Sequence, residues 1–94
     1  MSYPYTNLYG DISVTVTYNS VDIKMDVSAG LPVVEQLADV LIRHGLTKQE
    51  TLNGNGKFAY KLQHVEAGNA DLTYGETFAQ QGVHDGDTLL IAGV

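Results

Sequence analysis

The residues that could do chemistry are few and scattered. Three histidines, His44, His64 and His84, could serve as ligands or general bases, yet no two of them have the spacing that puts two ligands on one helix face. His44 follows a helical pattern and has a sufficient role in the last turn, where a basic group suits the helix dipole. His64 lies in a strand pattern beside acids and is the histidine with most scope for a special role. Asp85-Gly86-Asp87 offers two carboxylates but lacks the acid spacing and terminal glutamate of a calcium loop. It reads as a tight turn in which Gly86 takes a positive φ. Gly54-Asn55-Gly56-Lys57-Phe58-Ala59 fits a loose GxGxxA pattern, but it precedes a strand, whereas a dinucleotide site follows a strand and opens a helix. Gly56-Lys57 lacks the Ser or Thr of a phosphate loop, and no Gly-x-Ser-x-Gly elbow is present. No catalytic, cofactor or metal residues are assigned, and the chain reads as non-enzymatic.

The elements that would position any site follow from periodicity. Ile12, Val14, Val16 and Tyr18 alternate with Ser13, Thr15 and Thr17, and after Asn19-Ser20 the residues Val21, Ile23, Met25 and Val27 alternate with Asp22, Lys24 and Asp26. That is a hairpin with one apolar face. Pro32 to His44 carries Val33/Val34, Leu37, Val40/Leu41 and Ile42 at helical spacing, with Glu35 in the first turn, Gly45 as a left-handed cap and Leu46 set to fold back on Leu41. Polar residues 47–57 carry a turn at Asn53-Gly54-Asn55-Gly56. A third strand follows, with Phe58, Tyr60 and Leu62 on one face and Ala59, Lys61 and Gln63 on the other. Leu72 is an isolated anchor, Tyr74-Gly75 a turn, and Phe78 pins a short helical turn before Gly82-Val83. In the last strand Leu89 and Ile91 face the helix, which leaves Leu90 and Ala92 on the outer face.

Composition narrows the function classes. A chain of 94 residues is read as one domain over 11–94, with 1–10, including Tyr3, Tyr5 and Tyr9, as a flexible N-terminal segment. Five Lys and Arg stand against eleven Asp and Glu, a net charge of −6 that disfavours nucleic acid and anionic lipid, both of which are bound through basic contacts. Cysteine is absent, which removes thiolate chemistry and suits a reducing compartment, so a cytoplasmic location is expected. No signal peptide and no run of apolar residues long enough to span a bilayer is seen, so no direct membrane insertion is expected.

The order strand, strand, helix, strand, anchor, helical turn, strand resembles the β-grasp of ubiquitin-like proteins over roughly Ile12 to Ala92. Leu72-Thr73-Tyr74-Gly75-Glu76-Thr77-Phe78, then Gly82-Val83 and Asp87-Thr88-Leu89, are similar to ubiquitin's path from its short fourth strand to its closing strand. Val27-Ser28-Ala29-Gly30-Leu31-Pro32-Val33 and Gly82-Val83-His84-Asp85-Gly86-Asp87-Thr88-Leu89 resemble the bacterial YukD/EsaB group, small proteins associated with type VII secretion. The resemblance implies an α+β fold with a mixed sheet of four to five strands on one helix at about 32–44. It also implies an adaptor or regulatory component that binds a protein partner, as a monomer or weak dimer and without cofactors. Lys61, Val65, Leu90 and Ala92 are the candidate partner-binding residues on the outer sheet face. Two other readings stay open. One is a modifier or sulfur carrier, which works through a C-terminal Gly-Gly where this chain has Ala92-Gly93-Val94. The other is a small regulatory subunit of a multi-component enzyme.

Overall fold

The computed structural model describes residues 10–47, 52 and 54–94. The Tyr-rich N-terminal segment and part of the loop around Asn53 lie outside the described residues.

β1 (Asp11–Tyr18) and β2 (Val21–Ser28) form the expected hairpin, in register along their whole length from Asp11↔Ser28 to Tyr18↔Val21. Asn19 and Ser20 both sit in the left-handed region, at φ 53° and 67°. That is the two-residue turn whose twist matches the strands it joins, and Asn is one of the residues that tolerates it. The single α-helix, α1 (Val33–Arg43), begins one residue later and ends one earlier than the sequence pattern indicates. Pro32 is its N-cap, extended at ψ 143°, so its fixed φ leads into the helix from outside. No side chain caps this end; the N–H groups of Val33 and Val34 donate instead to the carbonyls of Glu76 and Tyr74, at 2.9 and 3.0 Å. At the other end Gly45 takes φ +84°, and Leu46 N–H returns to Leu41 C=O at 3.2 Å, burying the Leu46 side chain. Val33, Leu37, Val40 and Leu41 are buried, whereas Val34 and Ile42 face outward.

β3 (Tyr60–His64), the two-residue β4 (Ala70–Asp71) and β5 (Thr88–Gly93) complete a five-stranded sheet in the order β2-β1-β5-β3-β4. Phe58, expected at the start of the third strand, instead makes an isolated bridge with Leu52, and the strand begins at Tyr60. β5 is parallel to β1 and antiparallel to β3, so the last strand is the middle of the sheet. The core lies between this sheet and α1. Val14, Val16, Met25, Val27, Leu62, Leu89 and Ile91 point into it from the strands, and Leu72, Phe78 and Val83 close it from the segments between β4 and β5. Phe78 is wholly buried, which places it among the side chains worth about 3–5 kcal/mol on truncation to alanine.

Candidate protein-docking face

The outer face of the sheet is assembled by parity from strands distant in sequence. Across the β3–β5 pairing Lys61 lies opposite Ala92 and Gln63 opposite Leu90, while across β1–β5 Thr17 neighbours Leu90. Three of the four candidate residues, Lys61, Leu90 and Ala92, therefore share one patch, with Leu90 and Ala92 partly exposed at its centre. Val65 is displaced: β3 ends at His64, and Val65, 38% exposed, opens a 3-10 turn over Val65–Ala67.

The polar border of the patch is held in place. Lys61 Nζ donates to Asp71 Oδ2 and Gln63 Nε2 to Asp71 Oδ1, each at 3.0 Å. The Gln63 hydrogen bond, with the Lys61 hydrogen bond and charge, holds the Asp71 carboxyl below its ordinary value. Asp71 gives no signal in the sequence because a two-residue strand has no periodicity. On the other flank Thr17 Oγ1 donates to Asp22 Oδ1 at 2.7 Å. The result is two apolar side chains within a fixed polar rim, an arrangement that can bind by shape and hydrogen bonding.

His64 has the special environment that its neighbouring acids suggested. It is 5% exposed, pointing inward from β3, and its Nε2 lies 2.7 Å from Asp87 Oδ2 and 3.8 Å from Glu66 Oε1. Asp87 also accepts from His84 N–H at 2.9 Å, and Glu66 accepts from Thr88 N–H at 2.8 Å. The His84 N–H above all, helped by His64, lowers the Asp87 carboxyl below its ordinary value against the opposing effect of burial. These three side chains bring one donor atom each within 4.8 Å of one another, which is close enough to consider a metal. The chemistry of the ring argues against one. A metal on Nε2 requires the proton on Nδ1, and Nδ1 is buried without a partner among the described residues. A metal-bound histidine ordinarily donates that N–H to an outer acceptor. With the proton on Nε2, bonded to the Asp87 carboxylate, only an acceptor is left unmatched. The cluster is therefore a latch fastening β3 and its following turn to the turn before β5, in which Gly86 takes φ +89°.

A second surface lies away from the sheet face. Val34, Gly56, Lys57, Phe58, Tyr74 and Val94 line an open apolar depression of about 430 Å³. Phe58 and Tyr74 meet edge to face at 6.0 Å, and Tyr74 Oη donates to Tyr60 C=O at 2.8 Å. Burial, and secondarily the Asp71 charge, raise the Tyr74 phenol above its ordinary value, so it remains a neutral donor. Nothing in the sequence pattern joins Val34 to Phe58.

The geometry is that of a ubiquitin-like β-grasp: a five-stranded mixed sheet, parallel between its first and last strands, grasping one helix. The sequence matches no protein-family model and no curated protein. Among solved structures it is similar to the EccD5 ubiquitin-like domain of Mycobacterium xenopi, at 20% identity and TM-score 0.66, covering 90% of this chain and 96% of that one. It is also similar to the ubiquitin-like domain of the Mycobacterium tuberculosis type VII secretion protein EccD1, at 16% identity and TM-score 0.64 over 89% and 99% of the two chains. Ubiquitin from Caldiarchaeum subterraneum matches at 16% identity and TM-score 0.63, covering 90% of this chain and 95% of that one. Proteins with this fold include members of secretion complexes and ubiquitins alike, so the fold is common to them and the surface must distinguish this chain.

Proposed function

We propose that this protein is a non-catalytic ubiquitin-like interaction module, an adaptor or regulatory component of a bacterial type VII-like secretion assembly, related in kind to the YukD/EsaB group and working in the cytoplasm. The observation that carries this reading is the outer sheet face, where Leu90 and Ala92 are framed by the Lys61–Asp71–Gln63 network and Thr17. It is a surface made to be covered by another protein. The EccD domains among its structural neighbours support the secretion setting, as does a chain of the ESX-3 core complex, similar at 22% identity and TM-score 0.68 over 90% of this chain and 16% of that one. Among the described residues no helix is long and apolar enough to cross a membrane.

The modifier reading meets an obstacle at Gly93. That residue is held in the sheet opposite Tyr60, and the next N–H, of Val94, donates to Ala59 C=O at 3.0 Å. A glycine used for conjugation must reach an activating enzyme, and Gly93 is fixed in a strand.

The test is the double variant Leu90→Asp, Lys61→Glu in cells that make the protein, with crosslinking and identification of secretion-complex components. Lys61→Glu also sets a second carboxylate against Asp71 and so lowers the melting temperature, and the comparison is made well below the melting temperatures of both proteins, with circular dichroism confirming that the variant is folded. Recovery of those components with the wild type and a loss of roughly tenfold or more with the variant is the expected result, since a central interface contact is typically worth over 1–2 kcal/mol. Equal recovery with both proteins refutes the assignment of this face.

A further inference from the structure

Among the described residues β2 is the outermost strand on its side of the sheet, and no strand of them lies beside one row of its backbone groups. The hairpin register identifies the row. Tyr18↔Val21 closes the two-residue turn, and beyond the other end Ala29 N–H donates to Gly10 C=O, so the odd-numbered residues of β2 bond to β1. Asp22, Lys24, Asp26 and Ser28 turn their N–H and C=O groups outward. Helix α1 covers part of this row. Gln36 takes both groups of Ser28, accepting from its N–H and donating to its C=O, each at 2.8 Å, and Arg43 donates to the Asp26 carbonyl at 3.3 Å. The outward groups of Asp22 and Lys24 have no partner among the described residues. Beside them Val21 is 54% exposed, an apolar side chain at an open edge.

We propose that this open half of β2 pairs antiparallel with the same half of a second copy, forming a two-fold symmetric dimer through one continuous sheet. The register follows from charge and from which groups are open. With Asp22 opposite Lys24 of the second copy, the two residues exchange both backbone hydrogen bonds, symmetry repeats the pair, and opposite charges face each other twice on the outer face. Ile23 then meets its own symmetry mate, and Val21 stands opposite Met25 of the second copy. Sliding by one residue sets the open row against groups already bonded to β1. Sliding by two sets Asp22 against Asp22 in one direction, and Lys24 against Lys24 with Asp22 against Asp26 in the other. A further slide restores Lys24 against Asp26 but calls on the carbonyl of Asp26 and both groups of Ser28, which Arg43 and Gln36 already hold. One register satisfies both conditions.

The interface is small and each copy carries a net charge of −6, so the dimer is weak. Sedimentation equilibrium of the full chain from about 10 μM to 1 mM reads it directly, because the dimer fraction must rise with concentration. Lys24→Asp turns both ion pairs repulsive and is expected to weaken association roughly tenfold or more, as is Asp22→Lys. The double exchange Asp22→Lys, Lys24→Asp restores complementarity and is expected to return the affinity to within about threefold of the wild type. Lys24→Pro removes one outward N–H that β1 does not use, so it should abolish the dimer while leaving a cooperative melt. A wild type that stays monomeric at the highest concentration overturns the proposal. So does an exchange variant no better than the single variants, or Lys24→Pro dimerising as the wild type does.

Discussion

Asp87 ties three segments together: it accepts from His84 N–H and from His64, and its own carbonyl accepts from Thr15 N–H at 3.0 Å. Its carboxyl is held below the ordinary value, as is that of Asp71. The unfolded chain therefore takes up protons first as acid is added. The stabilisation is complete above the unfolded carboxylate pKa of about 3.9 and is lost as the pH falls from there through the folded values. The expected outcome is a melting temperature that is flat with respect to these groups near pH 6 and drops below about pH 4. Asp87→Asn should lower it near pH 6 and make the acid drop shallower; calorimetry of both proteins at several pH values checks this, and parallel curves would show that Asp87 has no such role. The sequence marked His64 as a strand residue beside acids, without assigning it a face. It could not pair His64 with Asp87, because that bond depends on how the turn before β5 closes onto the end of β3. Leu90 and Ala92 were legible because a strand's period of two separates them from Leu89 and Ile91 without knowledge of the fold.

Among the elements, α1 has a second role besides covering the core. Its apolar stripe buries Val33, Leu37, Val40 and Leu41, and its flank puts Gln36 on Ser28 and Arg43 on Asp26 at the edge of β2. Gln81 does the same for a loop, accepting from Thr73 N–H at 2.6 Å and donating to Thr73 C=O at 2.9 Å. Gln36→Ala removes two part-buried bonds and exposes the Ser28 groups, an expected cost of about 1–2 kcal/mol in urea unfolding with an unchanged m-value. A loss within experimental error would mean that water replaces the amide fully. The helix itself was legible from its 3.6-residue period, its Pro and its Gly. The glutamine plugs were not: a polar residue on a helix flank looks the same whether it faces solvent or a strand edge. Val65 was misplaced for a related reason, since the strand alternation continues through it while the chain has already turned at His64.

At the scale of the molecule, the sheet is divided by its last strand. Without β5 the hairpin β1–β2 and the pair β3–β4 share no backbone ladder, because β5 joins them. A fragment ending at Asp87 is expected to lack a cooperative unfolding transition, and a native-like melt from that fragment would show that α1 alone suffices to hold the halves together. The order of elements and their apolar faces were readable from periodicity and the ubiquitin-like pattern, whereas the sheet order β2-β1-β5-β3-β4 is set by the strand pairings of the structure. What the sequence alone could not define is which surface a partner covers, since that depends on fixed polar networks such as Lys61–Asp71–Gln63.

The central place of β5 also bears on how the protein is made. At roughly 5–20 residues per second, several seconds pass between synthesis of β2 and synthesis of β5. During that interval the hairpin is a two-stranded ribbon, marginal on its own, with Val14, Val16, Met25 and Val27 facing no completed core. Throughout that interval the hairpin's apolar face is open to wrong partners, and the synthesis of β5 is what allows the sheet to close over the core.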